Sequence, residues 1–283
     1  MEVIQAYLTK NPCYQANAKQ ADSRYTAFQA KGPQGLMLHS VGCNQPSAEV
    51  FVKRWNRPEC SNVCVHGFID ANTGALWQTL PWNYRGWHCG GSGNNTHLGV
   101  EMCESAAIRY GSGASFTVLD RAKALADCAR AYRTAVELFA RLCLRYKLDP
   151  RTAVCSHKEG AGAGIASGHV DPEHYWKGLG APYTMEGFRA EVAAALAELE
   201  AAETPAPADN ESPAPAEGPG AHEETALPYT DVPADAWYAE ALRWALDKKI
   251  LVTQPPAQFH PDSPLTKASA IVLLRRLYRA LEK

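Results

Sequence analysis

The sequence predicts an α/β fold, a mixed central β-sheet flanked by helices, followed by a small helical C-terminal module. Three observations carry this. Short apolar runs alternate with stretches of helical periodicity through residue 202. A Pro/Ala/Glu-rich segment interrupts the chain at 203–228. Two further apolar stripes of helical spacing follow at 229–283.

The elements follow in order. Residues 35–39 (GLMLH) form a short apolar run ending in a polar residue, the pattern of a buried strand. Residues 62–70 (NVCVHGFID) and 75–80 (ALWQTL) flank the turn sequence DANTG and read as a hairpin. Residues 98–102 (LGVEM) make another strand. Asp120 is placed to cap a helix running to Tyr146, with Leu125, Cys128, Tyr132, Val136, Phe139 and Cys143 recurring every three or four positions. Residues 153–156 return as a strand directly before His157, and 185–200 form a second helix whose stripe is Phe188, Val192, Leu196 and Leu199.

The interruption at 203–228 (ETPAPADNESPAPAEGPGAHEETALP) has no aromatic or β-branched aliphatic residue. It cannot bury enough apolar surface to offset its ordering entropy, so an extended linker is expected. The chain thus divides into a large domain at 1–202, the linker, and a module at 229–283.

Composition bounds the function. The 283 residues are 46% hydrophobic and 20% charged, with a formal net charge of -2. No whole-chain basic field exists to draw the protein to nucleic acid. No apolar run approaches the roughly 18 residues of a membrane helix. The N-terminus, MEVIQAYLTKNPCYQ, lacks a basic start followed by an apolar stretch. The expectation is cytoplasmic synthesis without a signal peptide. Nine cysteines, all within the first 155 residues, form no CxxC pair. Their odd number and apolar surroundings favour buried thiols over a disulfide framework.

Nine histidines must be weighed one at a time. His39 and His157 each end a predicted strand, where open α/β sheets place ligand groups. Either alone is more often a packed or surface residue. The segment GHVDP adds His169 and Asp171 at a spacing of two, which puts both side chains on one face of an extended segment. Two histidines and a carboxylate with one position open is a usual donor set for catalytic zinc.

These segments also carry a resemblance. SHKEGAGAGIASGHVDPEHYW is similar to the C-terminal motif of the peptidoglycan-recognition-like (type 2) N-acetylmuramoyl-L-alanine amidases, in particular the phage endolysin subgroup. GLMLHSVGC resembles that family's first zinc-ligand strand, and NVCVHGFIDANTGALWQTLPWNYRGWHCG its hairpin and Trp-His-x-Gly segment. NNTHLGVEMCE resembles its Asn-Asn-x-x-Ile-Gly-Ile-Glu strand. The order is kept from about residue 30 to 180.

The resemblance implies a Zn2+ cofactor held by His39, His157 and Asp171, with peptidoglycan as substrate. His169 stands where many members carry an oxyanion-stabilising Lys, which leaves a second assignment open: His169 as ligand and Asp171 as its support. Glu101 falls on the family's catalytic glutamate, and Val65 stands where other members place a Tyr. Glu104 is its neighbour outside the strand motif. His88 and Asn95 are implied as substrate contacts, and His66 as structural. In this reading zinc acidifies the attacking water, Glu101 moves the proton to the alanine nitrogen, and charged His169 stabilises the oxyanion. An imidazole carries charge only near or below neutrality, so activity should fall above it. Two other readings stay open: a non-catalytic peptidoglycan-binding module, and a zinc peptidase cutting within the stem peptide. For an endolysin, release through a holin would bring the enzyme to the wall.

Residues 229–283 resemble one S-layer homology repeat, through Tyr229, Asp231, Val232, Trp237, Phe259, Pro261, Leu265 and Thr266. The usual glycines of its middle turn are replaced by Lys249 and Thr253. The helix faces Ala241, Trp244, Ala245 and Ile271, Leu274, Leu277, Tyr278 are expected to be core. The resemblance implies binding to secondary cell-wall polymers. Such repeats usually act in threes, so this one acts alone or copies meet as a homo-oligomer.

Overall fold

In a computed structural model of the chain, residues 1–203, 227, 229–232, 239–251, 259 and 275 are described. The chain falls into two compact units, Met1–Ala208 and Asp209–Lys283. The expected linker and the second helix of the terminal module lie outside the described residues.

The centre of the first unit is β2 (Gly35–Ser40), buried at every position. It is flanked by β5 (His97–Met102) and β8 (Val154–Ser156), both parallel to it. A strand hydrogen-bonded on both edges and covered on both faces reads as a continuous apolar run, as GLMLH does. Beyond β5 lie β3 (Gly67–Ile69), β4 (Leu76–Gln78) and β1 (Val3–Gln5). The order is β1-β4-β3-β5-β2-β8, with β3–β4 the antiparallel pair. The sheet is mixed, as the sequence predicts.

The hairpin is shorter than 62–70 and 75–80 suggest. The DANTG turn is built by Asp70, whose Oδ1 accepts the amides of Asn72 and Thr73 while Oδ2 accepts that of Ala48. Upstream, the chain leaves the sheet, and Cys64 pairs instead with Trp87 in an isolated bridge.

Side chains alternate across the strands. Leu36, Leu38, Leu98, Val100 and Met102 face α4 (Arg121–Tyr146) and α8 (Met185–Glu203), packing on Tyr132, Phe139, Phe188 and Val192. Asp120 caps α4 by accepting the Lys123 amide. Met37, His39, Gly99 and Glu101 take the opposite face. There Phe68 stacks on Phe51 of α3 (Ala48–Trp55) at 4.9 Å. The remaining helices of this unit are α1 (Pro12–Ala18), α2 (Ser23–Lys31), α5 (Pro150–Ala153), α6 (His157–Gly162) and α7 (Glu173–Leu179). A separate hairpin, β6 (Ile108–Tyr110) and β7 (Phe116–Val118), stands beside the sheet. All nine cysteines are free thiols, six of them buried.

In the second unit α9 spans Ala239–Asp247. Tyr229 packs on Phe259 at 5.2 Å, and the Phe259 amide donates to Asp231 Oδ1 at 2.7 Å. Tyr229, Asp231 and Phe259, three residues that carry the repeat resemblance, thus meet. Trp244, expected as core, is 47% exposed; Leu242 and Ile250 are buried instead. Lys249 takes the left-handed conformation, φ 56°, where a glycine is usual.

Candidate metal centre and active-site groove

The sheet delivers the candidate ligands to one point. His39 is the penultimate residue of β2, and His157 follows β8 as the first residue of α6. Ser156 forms a reciprocal capping box with Glu159 at that helix start, fixing where His157 points. Asp171 comes from the loop before α7, and its Oδ2 accepts the Ser40 amide at 3.4 Å. All three side chains are buried.

Their donor atoms converge. His39 Nδ1 lies 3.0 Å from His157 Nδ1 and 3.3 Å from Asp171 Oδ2, and His157 Nδ1 lies 3.6 Å from Asp171 Oδ1. A tetrahedral ion with ligands at about 2.0–2.1 Å sets donors roughly 3.4 Å apart, inside this spread.

The outer partners say what kind of group fits. His88 Nε2 faces the His97 carbonyl at 3.0 Å, which can only accept, so that nitrogen carries the proton. His88 Nδ1 is then an acceptor for His39 Nε2–H at 3.0 Å. On the other side Ser167 Oγ donates to the Cys89 carbonyl at 3.1 Å and so accepts from His157 Nε2–H at 3.2 Å. Both Nδ1 atoms are left as lone pairs facing each other beside a carboxylate. Three acceptors in contact repel unless a cation lies among them. The residues fit a divalent metal.

The electrostatics agree. Burial, followed by His39, pushes His157 down to about 4, so the ring stays neutral at ordinary pH. Burial, with His39 and His66 adding, holds His88 well below its ordinary value. Burial works to raise Asp171, but its imidazole neighbours outweigh it and the carboxylate stays below the usual range.

Glu101 sits on β5 opposite His39 and lines the same groove. Burial, then the Asp171 and Glu104 carboxylates, push its pKa well up. Its Oε2 has no hydrogen-bond partner among the described residues. The groove has a volume of about 550 Å³ and is walled by Trp55, Val65, Trp87, Tyr110 and Val170. A wider depression, about 1000 Å³, runs along α4, α5 and α8, but it holds no such cluster.

The other expected site residues fall as follows. His169 stands at the rim, 61% exposed, with Nδ1 3.9 Å from Asp171 Oδ1. The cluster among the described residues that could hold a metal ion is His39, His157 and Asp171, without His169. His88 borders the groove, and both its ring nitrogens have partners within the protein. Asn95 is exposed outside the groove, with Oδ1 accepting from Arg85 Nε at 2.7 Å. Its neighbour Asn94 is the buried one, accepting the amides of His88 and Cys89. His66 is structural: Nε2 donates to the Tyr84 carbonyl, Nδ1 accepts the Gly99 amide, and burial drives it to about 4.

Sequence reasoning missed a second polar cluster. Tyr110 bonds Glu104 Oε2 at 2.6 Å and His174 Nε2 at 2.8 Å, and Glu104 Oε1 accepts the Gly42 amide. Burial raises Glu104 to about 7 against these hydrogen bonds. Ser167 was also missed, although it stands in the quoted motif SGHVDP.

The N-acetylmuramoyl-L-alanine amidase family pattern matches residues 29–174, and the S-layer homology domain pattern matches 228–271. Among solved structures, the Staphylococcus aureus hydrolase AmiA in complex with its ligand is 17% identical, with 71% of this chain and 86% of that one covered and a TM-score of 0.52. PlyL is 21% identical over 68% and 97%, TM-score 0.44. A mutant endolysin from Bacillus subtilis is 19% identical over 68% and 99%, TM-score 0.41. No curated protein sequence matches. The family pattern spans more than half of the chain and contains His39, Glu101, His157 and Asp171, so this protein belongs to the N-acetylmuramoyl-L-alanine amidase family.

Proposed function

We propose that this peptidoglycan amidase is zinc-dependent and hydrolyses the amide between N-acetylmuramic acid and L-alanine. The observation that carries it is the pair of bare Nδ1 atoms of His39 and His157, 3.0 Å apart beside Asp171, with His157 and Asp171 lining the groove. His39, His157 and Asp171 would hold the ion. When bound, zinc polarises the scissile carbonyl and acidifies the attacking water.

Glu101 takes the proton from water as its oxygen bonds to the carbonyl carbon. It then passes that proton to the alanine nitrogen as the C–N bond breaks, leaving a lactyl carboxylate and a free amine. Its raised pKa, caused first by burial and then by the Asp171 and Glu104 carboxylates, makes it a stronger proton acceptor than an ordinary carboxylate. His169, at the rim, donates to the carbonyl oxygen as negative charge develops there. Trp55 and Trp87 offer broad apolar faces for the sugar-peptide. The C-terminal repeat holds the enzyme on a wall polymer and raises its local concentration at the substrate.

Purified cell wall digested with and without a chelator tests this. Products should carry a free lactyl group on muramic acid and a new N-terminal alanine, and chelation should abolish them. New termini within the stem peptide would instead assign a peptidase, and chelator-resistant cleavage would remove the metal.

A further inference from the structure

We propose that His88 is a positioning residue of the metal centre, fixing the tautomer and orientation of His39 rather than touching substrate. The inference rests on the reading of His39 as a metal ligand.

The geometry runs through three groups in line. The His97 carbonyl accepts from His88 Nε2–H, and His88 Nδ1 accepts from His39 Nε2–H, each at 3.0 Å. The two imidazoles meet edge to face, 81° apart in plane. A backbone carbonyl at the far end admits one proton arrangement only, so His39 must present Nδ1 bare. With no such partner, a free imidazole distributes its proton over both nitrogens, and part of the population faces the ion with N–H.

The surrounding chain is shaped for this contact. Gly99, on the strand under the ring, has no side chain; a Cβ there would lie 2.3 Å from His88 Cγ. Asn94 Oδ1 accepts the His88 amide at 2.8 Å, and the residue before it is pinned by the Cys64–Trp87 bridge. His88 is therefore held at its backbone, beneath its ring and at both ring nitrogens. Ser167 does the same for His157, but with a hydroxyl that can rotate.

The test is zinc affinity of the full chain, by competition with a chromophoric chelator, together with the ligand-field spectrum of the cobalt-loaded protein. His88→Leu removes the acceptor and should weaken zinc binding 10–100-fold, the range seen when such outer partners are lost. His88→Asn places an amide oxygen near the Nδ1 position and should recover part of that loss. A leucine variant with wild-type zinc affinity and an unchanged cobalt spectrum overturns the proposal, as does a rise in KM alone. Imidazole nitrogen NMR on the metal-free wild type needs no variant: Nδ1 of both His39 and His88 should be unprotonated, and a proton on His88 Nδ1 refutes the arrangement. A wild type that binds no zinc, with NMR as expected, removes the metal reading and leaves only the tautomer relay, so the two failures are distinguishable.

Discussion

His39 and Glu101 stand opposite each other in the parallel register of β2 and β5. Partners in a parallel ladder project from the same face, so one pairing sets a candidate ligand beside a candidate base without any loop. Replacing Glu101 by Gln keeps size and removes the proton acceptor. The expected result is a fall in kcat of about 10²–10⁴-fold with zinc stoichiometry unchanged. Loss of the metal in that variant would make Glu101 part of the ligand set.

Asp171 supplies the only anionic donor of the cluster. Asp171→Ala should purify without stoichiometric zinc, and His169→Ala should retain it. Elemental analysis of the two proteins decides, and the reverse result would move the third donor to His169.

His169→Lys tests the rim residue. An imidazole loses its charge near neutrality and an ammonium near pH 10, so the alkaline limb of kcat/KM should extend upward in the lysine variant. Superimposable limbs would exclude a charged role for His169.

Glu104 gives a stability prediction. Its pKa rises from 4.5 to about 7 in the fold, chiefly through burial. The folded state therefore favours the protonated form. That contribution is complete below pH 4.5 and is lost as pH climbs through 7, amounting to about 3 kcal/mol. Glu104→Gln lacks this dependence. In metal-free protein it should gain on wild type between those limits, by denaturant unfolding at several pH values.

Lys249 bears on the terminal module. A non-glycine residue at φ 56° costs roughly 1–2 kcal/mol. Lys249→Gly should raise the unfolding midpoint of that module while leaving amidase turnover on soluble muropeptide unchanged.

Much of this was legible in the sequence because it is local. The apolar run at 35–39 and the periodic stripe from Leu125 to Cys143 each report their own environment, and Asp120 caps its helix by contacts within four residues. The candidate ligands His39, His157 and Asp171 stand in motifs that follow one another in order along the chain. What failed depends on long-range contact. The Glu104–Tyr110–His174 cluster joins a strand end, a hairpin and a helix, with no shared spacing to betray it. Asn94 and Asn95 are adjacent in a short 3₁₀ turn (Ser92–Asn95), and composition cannot say which faces inward. The partners of His88, the His97 carbonyl and His39, lie on strands that sequence alone does not bring beside it.

The imidazoles of His39 and His157, which meet at 3.0 Å, are separated by 118 positions in the chain. An ion shared between them acts as a reversible cross-link over a long loop, the counterpart of a bond this thiol-rich protein does not make. On the chain-entropy account such a closure confines the unfolded ensemble by about 4–5 kcal/mol. If the ion is the proposed zinc, its supply would govern the lifetime of the folded enzyme as well as its turnover, and an amidase stripped of it would become easier to unfold and degrade.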